Sequence, residues 1–116
     1  VLNNFSYYLA KRKVNLDNAE KIILKALELI PNNASYLDTY GWILLQKGKL
    51  EDAEIWIQRS LTNGGIENGV ILEHYGDVLF LLNRKTEAIE YWQKAELTGD
   101  FSTNLKQKIS EKQYME

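Results

Sequence analysis

The sequence repeats itself at an interval of about 35 residues, and this repeat limits the folds that the chain can adopt. The spacing Leu-x2-Tyr-Gly-x2-Leu begins at Leu37 and again at Leu72, followed by Ala53-x3-Ile57 and by Ala88-x3-Trp92. In both segments the glycine precedes the alanine by 12 positions. A weaker copy begins at Leu2, and its Ala19 precedes Ala53 by 34 positions. A repeat of this length is typical of stacked units that share one continuous core.

The apolar residues of each copy recur at helical spacing. In 16–30 they fall on one face, and Pro31-Asn32-Asn33 ends that helix. Asn33 or Ser35 can cap the next helix, and Gly48 can end it in a left-handed conformation. The pattern predicts helices at about 2–12, 16–30, 35–47, 51–62, 70–82, 86–97 and 101–113.

These copies resemble the tetratricopeptide repeat (TPR), a helix–turn–helix unit of 34 residues with the pattern W-x2-L-G-x2-Y, A-x3-F and P. The resemblance covers residues 1 to about 98. The residues at the repeat positions are most similar to those of TPR segments in bacterial proteins. Leu37 and Leu72 replace the usual tryptophan, and Ser6 replaces the glycine of the first copy. The resemblance implies an all-α, right-handed α-solenoid of three units, at about 1–33, 34–68 and 69–99, with a capping helix at about 100–113.

Small residues fall where the two helices of a unit must approach each other. We expect Gly41 and Gly76 on the first helix of their units to face Ala53 and Ala88 on the second. The last helix has a narrow apolar stripe, so we expect it to cover the end of the core. The residues of the stripe are Phe101, Leu105 and Ile109, Asp100 can cap the helix, and Lys106, Gln107, Lys108, Glu111 and Lys112 are expected to face water.

The composition offers few residues that could form a catalytic or metal site. There is no cysteine, and His74 is the only histidine, so neither a usual zinc site nor a nucleophile–histidine pair is favoured. We expect His74 on the surface, hydrogen-bonded to Asp77, and we expect no cofactor and no metal. Sixteen acidic against fourteen basic residues disfavour nucleic-acid binding, and the apolar runs are too short to span a membrane.

The TPR resemblance implies a groove lined by the first helix of each unit. Carried over to this sequence, the groove positions are Asn3, Tyr7, Lys11, Asp38, Trp42, Leu45, Glu73, His74, Asp77 and Phe80. Helix geometry agrees, because residues 38, 42 and 45 share a face, as do 73, 77 and 80. The mixture of acidic and aromatic residues favours a protein or peptide partner with basic and apolar groups, and it disfavours the basic clamp that binds chaperone tails.

The sequence therefore predicts a non-catalytic protein- or peptide-binding module that acts as an adaptor or assembly scaffold. Two alternatives stay open: a repeat segment that forms homodimers, and an accessory domain of a larger enzyme or regulator. Because the first residue is Val1 and not methionine, we expect the sequence to come from a longer chain. The cellular compartment is left open, between cytoplasm and periplasm.

Overall fold

The structure, a computed structural model, describes residues 15–114. This part of the chain is all-helical. Its elements are α1 (Leu16–Leu29), α2 (Ala34–Gln46), α3 (Leu50–Thr62), a short 3₁₀ turn (Gly65–Glu67), α4 (Gly69–Leu81), α5 (Lys85–Thr98) and α6 (Leu105–Glu111). The helix expected at 2–12 lies outside the described residues. None of the described helices combines the length and the apolar character that crossing a bilayer requires.

Asparagines begin three of these helices by accepting hydrogen bonds from their free backbone N–H groups. Asn15 accepts from the N–H of Asn18, and Asn33, as expected, accepts from the N–H of Tyr36 at 3.0 Å. Asn68 accepts from the first turn of α4. Gly48, after α2, has a φ of 80°, which confirms the predicted left-handed helix end.

The helices pack as two antiparallel hairpins, α2 with α3 and α4 with α5, and the hairpins stack on each other. Glycine allows each hairpin to close. A Cβ on Gly41 would lie 2.3 Å from the side chain of Ile57, and one on Gly76 would lie 2.5 Å from the indole of Trp92. The expected close approach of the two helices is therefore confirmed at both glycines. Ala53, Ala88 and Trp92 are fully buried in the shared core.

Hydrogen bonds and ion pairs join one unit to the next. The carboxylate of Glu54, on α3, accepts hydrogen bonds from the hydroxyl of Tyr75, on α4, and from Arg84 at 2.6 Å. Lys47, at the end of α2, binds Glu20 of α1 at 2.8 Å. Because these contacts link residues 21 to 30 positions apart, they set how each hairpin sits on its neighbour.

The last helix differs from its expected form in two ways. It spans only Leu105–Glu111, and Asp100 does not cap it, because residues 101–104 form no helix. The expectation that Lys108 faces water is also wrong, since its side chain is 4% exposed. Leu105, by contrast, is fully buried against the core, as its place in the apolar stripe predicts. The last helix covers the end of the core and also turns a cation inward.

Candidate functional site

A cavity of about 660 Å³ opens where α2, α4 and the segment leading into α6 meet. We call it the concave pocket, because the first helices of the hairpins, α2 and α4, form its walls. Its lining residues are Trp42, Val70, Glu73, His74, Asp77, Phe101, Ser102, Thr103, Asn104 and Lys108. The apolar part of the wall comes from Trp42, Val70 and Phe101, and the polar rim from residues 102–104.

Lys108 lies at the floor of the concave pocket, between two carboxylates of α4. Its ammonium group donates to Glu73 at 2.6 Å and to both carboxylate oxygens of Asp77, at 2.9 and 3.1 Å. Glu73 also accepts from the backbone N–H and the hydroxyl of Ser102, and Asp77 accepts from the indole N–H of Trp92 at 3.0 Å. Each carboxylate thus has several donors, which offsets the cost of its burial.

A second buried pair lies beside the first. Nδ1 of His74, on α4, is 3.0 Å from both carboxylate oxygens of Asp38, on α2. The imidazole also stacks on the indole of Trp42, with the ring centroids 4.4 Å apart and the planes at 22°. The indole N–H of Trp42 is buried without a hydrogen-bond partner. The expected surface histidine bonded to Asp77 is therefore wrong, because His74 is buried and bonds Asp38.

Burial and the neighbouring charges shift three pKa values in this cluster. Burial raises the pKa of Asp77 to about 6, although the positive charges of Lys108 and His74 act in the opposite direction. Burial would also raise the pKa of Glu73, but hydrogen bonds from Lys108 and Ser102 outweigh it and hold this pKa below its ordinary value. For His74, burial lowers the pKa, but the charge and hydrogen bond of Asp38, together with the charges of Asp77 and Glu73, outweigh burial, and the net shift is upward.

The acidic residues predicted for the groove do not face solvent. Asp38, Glu73 and Asp77 are 5%, 2% and 1% exposed. Asp38, on α2, pairs with His74 on α4. Glu73 and Asp77, on α4, pair with Lys108 on α6. The acidic part of the predicted groove is therefore buried, because a base 31 to 36 residues later in the chain pairs with each carboxylate.

The structure brings together only part of the predicted groove. Trp42, Glu73, His74 and Asp77 line the concave pocket, whereas Leu45 is buried in the core and Phe80 stacks on Trp92 at 5.6 Å. Three predicted positions, Asn3, Tyr7 and Lys11, lie outside the described residues. Sequence reasoning missed Val70, Lys108 and the segment 101–104. Lys108 follows Glu73 by one repeat length. This spacing was the signal in the sequence that could have placed Lys108 beside Glu73.

The site offers binding surface. His74 bonds Asp38 and stacks on the indole of Trp42, an arrangement that orients the ring. Across residues 15–114, no group of three or more potential ligands is arranged to hold a metal ion. The cavity has an apolar wall, and the charged groups at its floor form ion pairs with one another.

Comparisons with known proteins agree with this architecture. No protein-family model matches the chain. The crystal structure of the Sgt2 TPR domain from Aspergillus fumigatus superposes with a TM-score of 0.82, covering 96% of this chain and 74% of that one, at 18% sequence identity. The chain folds as a tetratricopeptide repeat domain. A stretch of 60 residues is 42% identical to a TPR repeat-containing protein of Pseudomonas aeruginosa. It covers 52% of this chain and only 10% of that protein.

The TPR fold generally mediates protein–protein interaction, and TPR repeat proteins are typically non-catalytic scaffolds. In this TPR domain the concave pocket lies on the first helices of two successive hairpins, where the fold presents its inner surface. The C-terminal segment closes one side of the pocket through Phe101 and Lys108.

Proposed function

We propose that this chain is a non-catalytic protein- or peptide-binding TPR module, which acts as an adaptor or assembly scaffold through the concave pocket. One observation carries the proposal: a cavity of about 660 Å³ has an apolar wall while its charged groups already bind one another. A partner that fills this cavity gains contact with Trp42, Val70 and Phe101. It need not break the ionic floor to do so.

The partner that fits best carries an apolar group with a basic group beside it. Aromatic and aliphatic walls supply the binding energy, because they bury large rigid areas at low entropic cost. The floor holds three carboxylates against two bases when His74 is protonated, so it keeps one net negative charge. This charge attracts a cation and disfavours a carboxylate, and its effect weakens as salt screens it over about 8–10 Å.

A peptide-array screen followed by titration of the hits tests the proposal. Trp42→Ala and Phe101→Ala should each weaken a hit by on the order of 2 kcal/mol. Trp56→Ala is the matched control, since Trp56 lies on α3 and packs on Tyr40, away from the pocket. Circular dichroism and thermal melts show whether each variant stays folded. Hits that carry mainly acidic C-termini, or that bind both pocket variants as tightly as the native chain, would contradict the proposal.

A further inference from the structure

Four large apolar side chains are exposed together at one edge of the solenoid. Leu29 and Ile30 end α1, Ile66 lies in the turn after α3, and Leu97 lies near the end of α5. They are 78%, 49%, 56% and 88% exposed. We call these four residues the loop-edge patch. The concave pocket contains none of them.

The topology of the fold places these residues on one edge. The second helices of the units, α1, α3 and α5, run in the same direction, so their C-terminal ends meet the same side of the solenoid. Arg59, in the last turn of α3, donates to the side chain of Asn32 in the loop after α1. At the other end, Gly69 lies so close to the backbone oxygen of Asp100 that a Cβ would not fit. The loop after α1 therefore contacts the end of α3, and the start of α4 contacts the segment after α5, which places the four exposed side chains along the same edge.

The loop-edge patch holds four of the six exposed large apolar side chains among the described residues. Single exposed apolar residues are ordinary on a protein surface, whereas several along one border mark an interaction site. The other two, Leu24 and Ile55, are 40% and 60% exposed and lie in the middle of α1 and α3, away from the helix ends.

The charges around the loop-edge patch indicate the kind of partner. Exposed acids lie beside it at the ends of the helices and in the following turns, at Glu28, Glu67, Glu96 and Asp100. The nearby bases are Lys25, one turn before Leu29, and Arg59 and Lys94, which lie over the rings of Trp56 and Tyr91. The border thus carries four negative against three positive charges. This acidic excess favours a basic partner over an anionic membrane or a nucleic acid.

We propose that the loop-edge patch is a second docking surface, which takes a basic amphipathic segment of a protein partner. The apolar face of that segment covers Leu29, Ile30, Ile66 and Leu97, and its lysines or arginines face the surrounding acids. Helices with one apolar and one basic face dock on apolar surfaces in this manner. The surface extends the proposed function, because it lets the module hold a second protein while the concave pocket is occupied.

The test uses residues 1–116 and a defined probe. A synthetic peptide of leucine and lysine, about four helical turns long, is titrated into the ¹⁵N-labelled chain. A peptide with glutamate in place of every lysine is titrated in parallel. We expect the lysine peptide to move the amide signals around Ile30, Ile66 and Leu97, and to bind about tenfold or more tightly than the glutamate peptide.

Three variants separate the possible outcomes. Ile66→Asn with Leu97→Asn should weaken the lysine peptide by about tenfold or more, while Ile55→Asn, on the outer face of α3, should leave it unchanged. Glu67→Lys with Glu96→Lys should reduce the preference for lysine over glutamate. The proposal is overturned if the peptide does not bind, if its signals move only at the concave pocket, or if both peptides bind equally. Sedimentation that shows a dimer, lost in the Ile66 and Leu97 double variant, would assign the patch to a second copy. Trp42 and Phe101 line the concave pocket and none of the patch residues does, so variants of the two sets test the two proposals separately.

Discussion

Lys108 lies in a buried ion pair with Glu73, exactly one repeat earlier, with the ammonium nitrogen 2.6 Å from the carboxylate. The two side chains are 4% and 3% exposed. Asp77 shares the same ammonium group, so one lysine of the last helix compensates two carboxylates of α4. The last helix therefore does more than cover the core, because it also supplies the charge that makes the inner face of α4 stable.

Removing that lysine should be costly. Lys108→Met leaves two carboxylates buried without their cation, and breaking a buried pair in this way costs about 3–5 kcal/mol. Urea unfolding at neutral pH measures the loss of stability. Lys106→Met is the matched control, since Lys106 is exposed on the same helix and should change stability little. The loss should be smaller at pH 5, where the carboxylates can take up protons in place of the missing charge. An equal loss for the two lysines would contradict the ion-pair assignment.

Stability should also depend on pH in a direction that the cluster sets. The pKa of Asp77 is raised from 3.8 to about 6, so the folded chain holds a proton that the unfolded chain has lost, and stability falls as pH rises toward 6. The pKa of His74 is raised above 6.5, so its contribution is complete below 6.5 and is lost as pH rises through the folded value. The pKa of Glu73 is lowered from 4.5, so its contribution is present above 4.5 and is lost in acid.

Together these three groups predict greatest stability near about pH 4.5, a decline as pH rises toward 6, and a further loss by pH 8. Urea unfolding at pH 5.5 and pH 8 measures the difference. Asp77→Asn removes one titrating group while keeping an oxygen acceptor for Trp92, so the difference should shrink in this variant. A native chain that is more stable at pH 8 than at pH 5.5 would rule out this origin of the pH dependence.

Gly76→Ala gives a test in which packing and helix propensity predict opposite signs. Propensity alone favours alanine within a helix by about 1 kcal/mol. The new methyl group, however, would lie 2.5 Å from the indole of Trp92, which is fully buried and bonded to Asp77. We expect a net loss of roughly 1–3 kcal/mol, measured by thermal or urea unfolding. A variant as stable as the native chain would mean that α4 and α5 do not approach so closely.

Deleting residues 100–116 should destabilise the domain at least as much as Lys108→Met. The deletion removes Lys108, the two hydrogen bonds from Ser102 to Glu73, and the packing of Leu105 on the core. Repeat arrays lose stability roughly as the sum of the interfaces that are removed. We expect a lower melting temperature and concentration-dependent aggregation, measured by calorimetry and light scattering. A truncated chain that stays monomeric with an unchanged melt would show that the segment does not support α4.

Much of the fold could be predicted from local spacing in the sequence. The five helices between residues 16 and 98 appear close to their expected bounds, because apolar periodicity, asparagine caps and Gly48 act over only a few residues. The contacts of Gly41 and Gly76 were also predictable. A glycine that recurs 35 positions apart, opposite an alanine 12 positions later, indicates two helices that must touch.

Whether the predicted site residues are exposed or buried depended on the tertiary structure. Asp38, Glu73 and Asp77 were correctly placed on the inner faces of their helices, but whether they meet solvent depends on groups 31 to 36 residues away. Lys108 looked like one of several bases on a polar helix face, because a helical pattern shows which residues share a face and not which face turns inward. Only the packing of α6 against α4 decides that this lysine enters the floor, where two buried carboxylates require a cation. The sequence by itself determined the helices and their repeat, and the tertiary contacts decided which charges remain available to a partner.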